Sequence, residues 1–358
     1  MKLYIRVALV LLCAALIVSM PFFLSSPALL QEAESGILYG DDEGSAMDFG
    51  RLLVSSAYAE EAGTDGEFSA EEINISELGK LNIPDEWALP LDFSVPPEPD
   101  PECYTENGYE DQSIRVRVET RNMLDSIVQI AYVEIASPTQ LRTVVEKRDK
   151  KVSKLADANN AVIAMNGDYC KKDSNNKFFE IRMTKKQNVA KKNSKSFDTL
   201  VIDKNGDFHV FVLSDGLTEY REKHMNDIVN AFLFGPALVK DGEIVFPEGK
   251  KYLLYASEHC DGRSAIGQTG PLSYVMVVVE AHGKDSKGVT FAGLAQIMKE
   301  LGCITAYNLD GGNSAELYMK GPEPDLVKYM FKGNLTAAER EQSDIIYFAT
   351  AVPVDQRK

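Results

Sequence analysis

The sequence predicts an α+β fold: a mixed β-sheet core with a βαβ-like unit and few helices, preceded by an export signal or anchor and an acidic, proline-rich linker. Three observations predict it. Apolar runs of strand length recur at residues 161–165, 273–280 and 304–309. Between the last two, Phe291, Leu294, Met298 and Leu301 repeat at helical spacing behind Thr290 as a cap, and Gly302 stands where a helix closes. Upstream of residue 113, by contrast, acids and prolines crowd together and apolar periodicity is lost.

The chain of 358 residues opens with Lys2 and Arg6 and an apolar run over 7–24. That run falls between the length of a signal core and that of a spanning helix, so residues 1–24 read as a signal peptide or a membrane anchor. Ala57-Tyr58-Ala59 has the form of a cleavage site but lies well past the apolar run. The expected localisation is exported, either secreted or anchored on the outer side of the membrane. Residues 25–112 read as an acidic, largely flexible linker: residues 61–112 hold fifteen acidic side chains against Lys80 alone, with six prolines between Pro84 and Pro101. The net charge of −16 therefore belongs mostly to the leader, because residues 113–358 hold 34 basic and 32 acidic side chains. A near-neutral, exported domain argues against a nucleic-acid partner. It is long enough for one sizeable core, and residues 113–354 are assigned to a single domain.

Within that domain most signals are β. Residues 113–119 alternate Ile114, Val116 and Val118, residues 127–135 form a second strand, and residues 200–213 read as a hairpin turning at Asn205-Gly206, a dipeptide that type I′ turns favour. Asp241-Gly242 marks another hairpin. Cys103, Cys170, Cys260 and Cys303 allow two disulfides in three pairings that sequence does not choose between, and Cys303 also reads as a buried small hydrophobe. No Cys-x-x-Cys or His-x-x-x-His spacing points to a zinc site. Residues 171–195 carry nine Lys or Arg against two acids, either a solvated loop or a cationic rim for an anionic polymer.

Chemistry-bearing residues collect at strand ends. Leu309-Asp310-Gly311-Gly312-Asn313-Ser314 follows one buried strand and Asn166-Gly167-Asp168-Tyr169-Cys170 another, with Arg263-Ser264-Ala265-Ile266-Gly267 between them in sequence. In crossover units ligands gather beyond the carboxyl ends of strands, and paired glycines let backbone N–H groups approach a ligand. Taken alone, each block is also a plausible turn.

These blocks, in this order and at these intervals, resemble the phosphodiester glycosidase family, which includes the animal enzyme that removes N-acetylglucosamine from a sugar phosphodiester and bacterial members associated with exopolysaccharide. The resemblance runs from about residue 113 to 354 and takes in residues 234–239, the segment 286–302, Arg340 and residues 343–348. It departs from the family where Cys170 follows the Tyr of the first motif, where His282 follows the central strand, and at Asn313.

The resemblance implies a hydrolase that cleaves a sugar-1-phosphodiester, a glycosidic C–O–P linkage, in an exported or cell-envelope glycan. A phosphate leaving group is already a stable anion, so the site needs cations or N–H donors for the phosphate more than a strong acid. It also needs a carboxylate for the anomeric centre or for water, and polar groups for the sugar. Asp310, Asp168 and Arg263 are the expected catalytic residues. Asn166, Gly167, Gly311, Gly312, Asn313, Ser314, Arg340 and His282 are the expected substrate-binding residues, and Asn166, Asp168, Arg263, Asp310, Ser314 and Arg340 are expected to converge from strand-end loops of one sheet. The plainer readings make Arg263 an ion-pair partner of Asp168 or Asp310, Arg340 a cap or a partner of Glu339, Asp168 an Asx-turn, and Glu316 either a core or a site residue. No cofactor is required, with a divalent cation left open. The partners expected are a sugar phosphodiester or phosphate-containing glycan and, through the N-terminal segment, a membrane. The alternatives are a metal-dependent P–O phosphodiesterase and a non-catalytic envelope-polysaccharide binding or assembly protein.

Overall fold

The computed structural model describes residues 81–168, 181, 183, 197–246, 259–321, 327–333 and 338–357. Residues 1–24, most of the cationic stretch 171–195 and Cys170 lie outside them. No helix among the described residues is long and apolar enough to cross a membrane.

Seventeen strands and three α-helices are described, in the order β1 (Tyr104–Thr105), β2 (Gly108–Glu110), β3 (Ile114–Met123), β4 (Ser126–Ile135), β5 (Leu141–Lys151), α1 (Val152–Ala158), β6 (Ile163–Asn166), β7 (Asp198–Asp203), β8 (Phe208–Phe211), α2 (Leu217–His224), β9 (Ile228–Phe234), β10 (Ala237–Lys240), β11 (Glu243–Ile244), β12 (Arg263–Gly270), β13 (Ser273–Val279), α3 (Phe291–Glu300), β14 (Thr305–Asn308), β15 (Glu316–Lys320), β16 (Val327–Lys332) and β17 (Glu341–Phe348). They build a nine-stranded sheet, β1-β2-β3-β4-β13-β12-β14-β10-β11, a five-stranded sheet, β16-β15-β6-β17-β5, and a three-stranded sheet, β8-β7-β9.

The alternation of side chains explains the layering. On β13, Tyr274, Met276 and Val278 face the central core, while Val275, Val277 and Val279 face the opposite side. A strand buried on both faces needs an unbroken apolar run, which is why residues 273–279 show no polar alternation. The central core joins the inner faces of all three sheets, with Ile114, Val116 and Ile266 meeting Ile163, Met165, Leu317 and Phe348, and Leu200, Phe208 and Phe232 adding the third sheet. Each helix then covers an outer face. α3 lays Leu294, Ala295, Ile297 and Met298 on the nine-stranded sheet, α1 lays Val152, Leu155 and Ala156 on the five-stranded sheet, and Leu217 of α2 packs on Val201 and Ala231 of the third.

The expected helix over 291–301 is α3, with Thr290 Oγ1 accepting the Gly293 N–H at 3.1 Å and Gly302 at φ +78° ending it. The βαβ-like unit is also present in altered form. β13 and β14 both pair antiparallel with β12, so they run parallel to each other with one strand between them. The expectation of a mixed sheet is corrected, since every strand ladder among the described residues is antiparallel. The Asn205-Gly206 hairpin is present between β7 and β8, but only Gly206 takes positive φ, so the turn is not of type I′. Both central residues are positive at Leu124-Asp125, between β3 and β4, and at Asp241-Gly242, between β10 and β11.

Packed structure begins upstream of residue 113. β1 and β2 extend the nine-stranded sheet, and Tyr109 is fully buried in the central core. Residues 90–94 are tied down by Arg142, 1% exposed, whose guanidinium donates to the carbonyls of Pro90, Asp92, Ser94 and Thr139 at 2.9, 2.6, 3.0 and 3.2 Å. The linker reading of this stretch followed composition, but its order comes from partners distant in sequence. Cys103, Cys260 and Cys303 are free thiols, and burial pushes the Cys303 thiol up to about 12, as suits a small core hydrophobe.

Candidate functional site

The carboxyl ends of β13 and β14 lie at the same edge as the start of β12, because Arg263 pairs with Val279 and Ala265 with Asn308. Against this edge comes the carboxyl end of β6, from the five-stranded sheet. The candidate residues therefore converge from two sheets, which corrects the expectation of one. Asn166 joins them. Its side-chain N–H groups donate to the carbonyls of Asp310 and Gly167 at 2.7 and 3.0 Å, and its Oδ1 accepts the Glu316 N–H at 3.0 Å. Fully buried, it is a latch between the motifs around 166 and 310. Ser264 Oγ donates to the same Asp310 carbonyl at 2.7 Å, and the Asp310 N–H donates to Gly167 at 3.2 Å. The backbone of Asp310 is thus held from three sides.

The Asp310 side chain is 5% exposed. Burial pushes its carboxyl above the usual range and the nearby Asp344 charge adds to this, while a hydrogen bond from Ser314, the Arg340 charge and the Gly311 N–H act the other way. Arg340 Nη1 donates to Ser314 Oγ at 2.7 Å. Arg340, Ser314 and Asp310 therefore form a chain of donors ending on the carboxylate, with Arg340 reaching solvent and Ser314 fully buried. Asn313 is exposed beside them.

Asp168 sits behind this group. Its Oδ2 accepts the Leu233 N–H at 3.0 Å and its own N–H donates to Asp344 Oδ2 at 3.3 Å. Gly167 is required here, since a Cβ would stand 1.9 Å from Asp344 Oδ2. Arg263 is 5% exposed: Nε donates to Val289 at 3.0 Å, Nη2 donates to His259 at 2.7 Å, and the guanidinium lies 4.0 Å from the Phe291 ring centroid. It borders the site, because a Cβ on Gly311 would stand 3.7 Å from its Cα and 2.8 Å from the Gly262 carbonyl. Gly312 takes φ +58°, and its N–H donates to Gly262 at 2.7 Å. His282 lies at the same edge with Asp261 as its partner.

Sequence reasoning missed Asp261, Asp344, Gly262, Gly333 and the pairing of Glu316 with Glu339. Gly262, Gly312 and Gly333 meet closely enough that a Cβ on Gly333 would stand 2.8 Å from the Gly312 carbonyl and 3.1 Å from the Gly262 Cα. Glu316, 1% exposed, hydrogen-bonds to Glu339. Burial, with Glu339 beside it, pushes the Glu316 carboxyl up to about 8. Its Oε1 is buried without a hydrogen-bond partner, and Glu339 Oε1 accepts from the Ser153 hydroxyl at 2.7 Å. Among the described residues no group of three or more His, Cys, Asp or Glu is arranged to hold a metal ion.

A family model for phosphodiester glycosidases matches residues 159–349, from just before Asn166 to just past Asp344. The chain belongs to the phosphodiester glycosidase family. That match contains every residue of the Asp310 cluster, and the family is one of hydrolases acting on glycosidic phosphodiesters. Over 93 residues, 26% of the chain, the sequence is 32% identical to the SPbeta prophage-derived uncharacterized protein YomE of Bacillus subtilis (strain 168), a stretch that spans 14% of that protein. Among solved structures, the catalytic domain of zebrafish N-acetylglucosamine-1-phosphodiester alpha-N-acetylglucosaminidase is similar at 15% identity and TM-score 0.47, over 66% of this chain and 83% of that one. A hypothetical protein from Synechocystis is similar at 13% identity and TM-score 0.43, over 66% and 62% of the two chains.

Proposed function

We propose that this phosphodiester glycosidase hydrolyses the C–O bond between an anomeric carbon and a phosphodiester, in an exported or cell-envelope glycan. The observation that carries the reading is the Arg340–Ser314–Asp310 chain: a carboxylate on a strand-end turn, mostly out of water, which burial raises above its ordinary range while Ser314, Arg340 and Gly311 act against that rise. Such a group either stabilises positive charge growing at the anomeric carbon or takes a proton from water. In the balanced step, water oxygen bonds to the anomeric carbon as the bond from that carbon to the phosphate oxygen breaks. The phosphate leaves with the electron pair as a monoester, and the water proton passes to Asp310. Asn166, Ser264 and Gly167 hold the Asp310 backbone, so their part is positioning. Asn313, exposed on the turn, and the Gly311-Gly312 backbone are the proposed sugar contacts. Asp168 supports the first motif through Leu233 and Asp344. Secretion or anchoring through residues 1–24 belongs to the same proposal and accounts for an envelope substrate.

The test uses the full chain and the synthetic methyl diester of N-acetylglucosamine 1-phosphate. Free sugar and methyl phosphate are the expected products. Sugar phosphate and methanol would instead indicate P–O cleavage and overturn the assignment.

A further inference from the structure

The Asp310 turn has a second polar group at its other end. His282 Nε2 and Asp261 Oδ1 are 3.0 Å apart, and both side chains reach solvent, at 53% and 40% exposure. Their backbones are fixed. Asp261 exchanges both backbone hydrogen bonds with Val289, at 3.1 and 3.2 Å, and its carboxylate also accepts the Gly262 N–H at 2.7 Å. His282 takes φ +60°, a left-handed conformation rare for a residue with a side chain. It is held there by Ala281 N–H donating to Gly333 at 2.7 Å and Gly283 N–H donating to Ser286 at 3.2 Å. Strain of this kind persists only where surrounding structure enforces it. The Asp261 carboxylate borders the turn directly, because a Cβ on Gly312 would stand 3.5 Å from its Oδ2. The missing side chain at Gly312 leaves that carboxylate and its histidine open toward the turn.

Resting on the hydrolase reading above, we propose that Asp261 and His282 form the phosphate-side contact of the site. Asp261 orients the ring through Nε2, and the other ring N–H donates to a non-bridging oxygen of the bound phosphodiester. The distribution of cations at this edge supports the choice. Arg263 is buried, donates to two carbonyls and stacks on Phe291, and Arg340 is bound to Ser314 at the Asp310 end of the turn. At the Gly312 end, among the described residues, His282 is the solvent-facing ring paired with the Asp261 carboxylate that borders the turn. Charged and titratable groups near it among the described residues include the exposed His259, two positions before Asp261, Glu280 closing β13, 5% exposed, Asp310 beyond β14, and the exposed Lys284 and Asp285 in the loop of His282 itself. A solvent-facing imidazole held by an acidic partner suits an anionic ligand group that must bind and then leave, because its ring is oriented in advance and stays open to solvent.

The experiment compares the full-length wild type with His282→Asn, His282→Arg and Asp261→Asn. Asparagine tolerates left-handed backbone, so His282→Asn removes the imidazole without adding strain. Competitive inhibition by methyl phosphate and by free N-acetylglucosamine is measured against the methyl diester, calorimetry measures methyl phosphate binding alone, and melting temperature reports folding. His282→Asn should weaken methyl phosphate about 10- to 100-fold, the loss of one charge-assisted hydrogen bond, and leave the free sugar unchanged. His282→Arg should recover most of the loss, and Asp261→Asn should fall between. Equal weakening of sugar and phosphate, or none, in a wild type that turns the diester over would overturn this inference alone. A wild type without turnover that still binds methyl phosphate through His282 would overturn the hydrolase reading and keep the phosphate contact. Neither turnover nor methyl phosphate binding would overturn both.

Discussion

Replacing Glu316 by Gln should change how stability depends on pH. Glu316 hydrogen-bonds to Glu339, and its carboxyl is pushed from the ordinary 4.5 up to about 8, first by burial and then by Glu339. A folded-state value above the unfolded one means that the folded protein holds the proton more tightly. The stabilisation is then complete below about pH 4.5 and is lost progressively as pH rises toward 8. At about 1.4 kcal/mol per unit the full interval is worth on the order of 5 kcal/mol. Because the neighbouring Glu339 also accepts from Ser153 and lies 3.6 Å from Lys151, a net 2 to 4 kcal/mol is the more realistic order of magnitude. Glutamine has the shape of the protonated acid and keeps a donor for Glu339. Urea unfolding followed by circular dichroism at several pH values should show the two proteins equal near pH 4. Glu316→Gln should then gain relative to wild type up to pH 8, with similar m-values. Parallel stability curves across that interval would refute the raised Glu316 carboxyl.

Gly167→Ala should destabilise by about 2 to 4 kcal/mol, because its Cβ would stand 1.9 Å from Asp344 Oδ2 and the surrounding backbone is pinned by Asp310 and Asp344; chemical denaturation measures it, and a loss under 0.5 kcal/mol would show that the turn is free to shift. Arg142→Met should cost on the order of 3 kcal/mol and expose residues 90–94 to protease ahead of the remaining domain, since four carbonyls lose their donor; limited proteolysis that leaves this segment protected would contradict the assigned role. Ser314→Ala should lower kcat on the methyl diester by about 10-fold or more through loss of the donor between Arg340 and Asp310, with melting temperature nearly unchanged; unaltered kcat would remove that chain from the chemistry.

What was legible in the sequence was local. α3 could be read because Thr290, the apolar period and Gly302 all lie within a dozen residues, and the buried strands because both faces of β13 are apolar. The strand-end motifs at 166 and 310 were legible for the same reason, since glycine, amide and carboxylate sit together. Nonlocal register was not legible. Asn166 reaches Asp310 across two sheets, and residues 90–94 look like linker until Arg142, about fifty positions away, supplies donors to their carbonyls. Asp344 entered only within the segment 343–348 and Glu339 only as a partner for Arg340, so neither was legible as a site residue. Their importance comes from β17 pairing with β6, which sets Asp344 against Gly167, and from Glu339 meeting Glu316. The turn at Leu124-Asp125 is also silent, because neither residue is one that favours positive φ as glycine does.

Isotope labelling decides whether Asp310 serves attack at carbon or at phosphorus. The full chain is incubated with the methyl diester of N-acetylglucosamine 1-phosphate in water enriched in oxygen-18, and both products are analysed by mass spectrometry, with the sugar reduced at once to prevent exchange at the anomeric position. Attack at carbon puts the heavy oxygen on the sugar and none on methyl phosphate, with Asp310→Asn lowering the rate about 100- to 1000-fold at unchanged melting temperature. Heavy oxygen on the phosphate, or an Asp310→Asn protein as active as wild type, would contradict it.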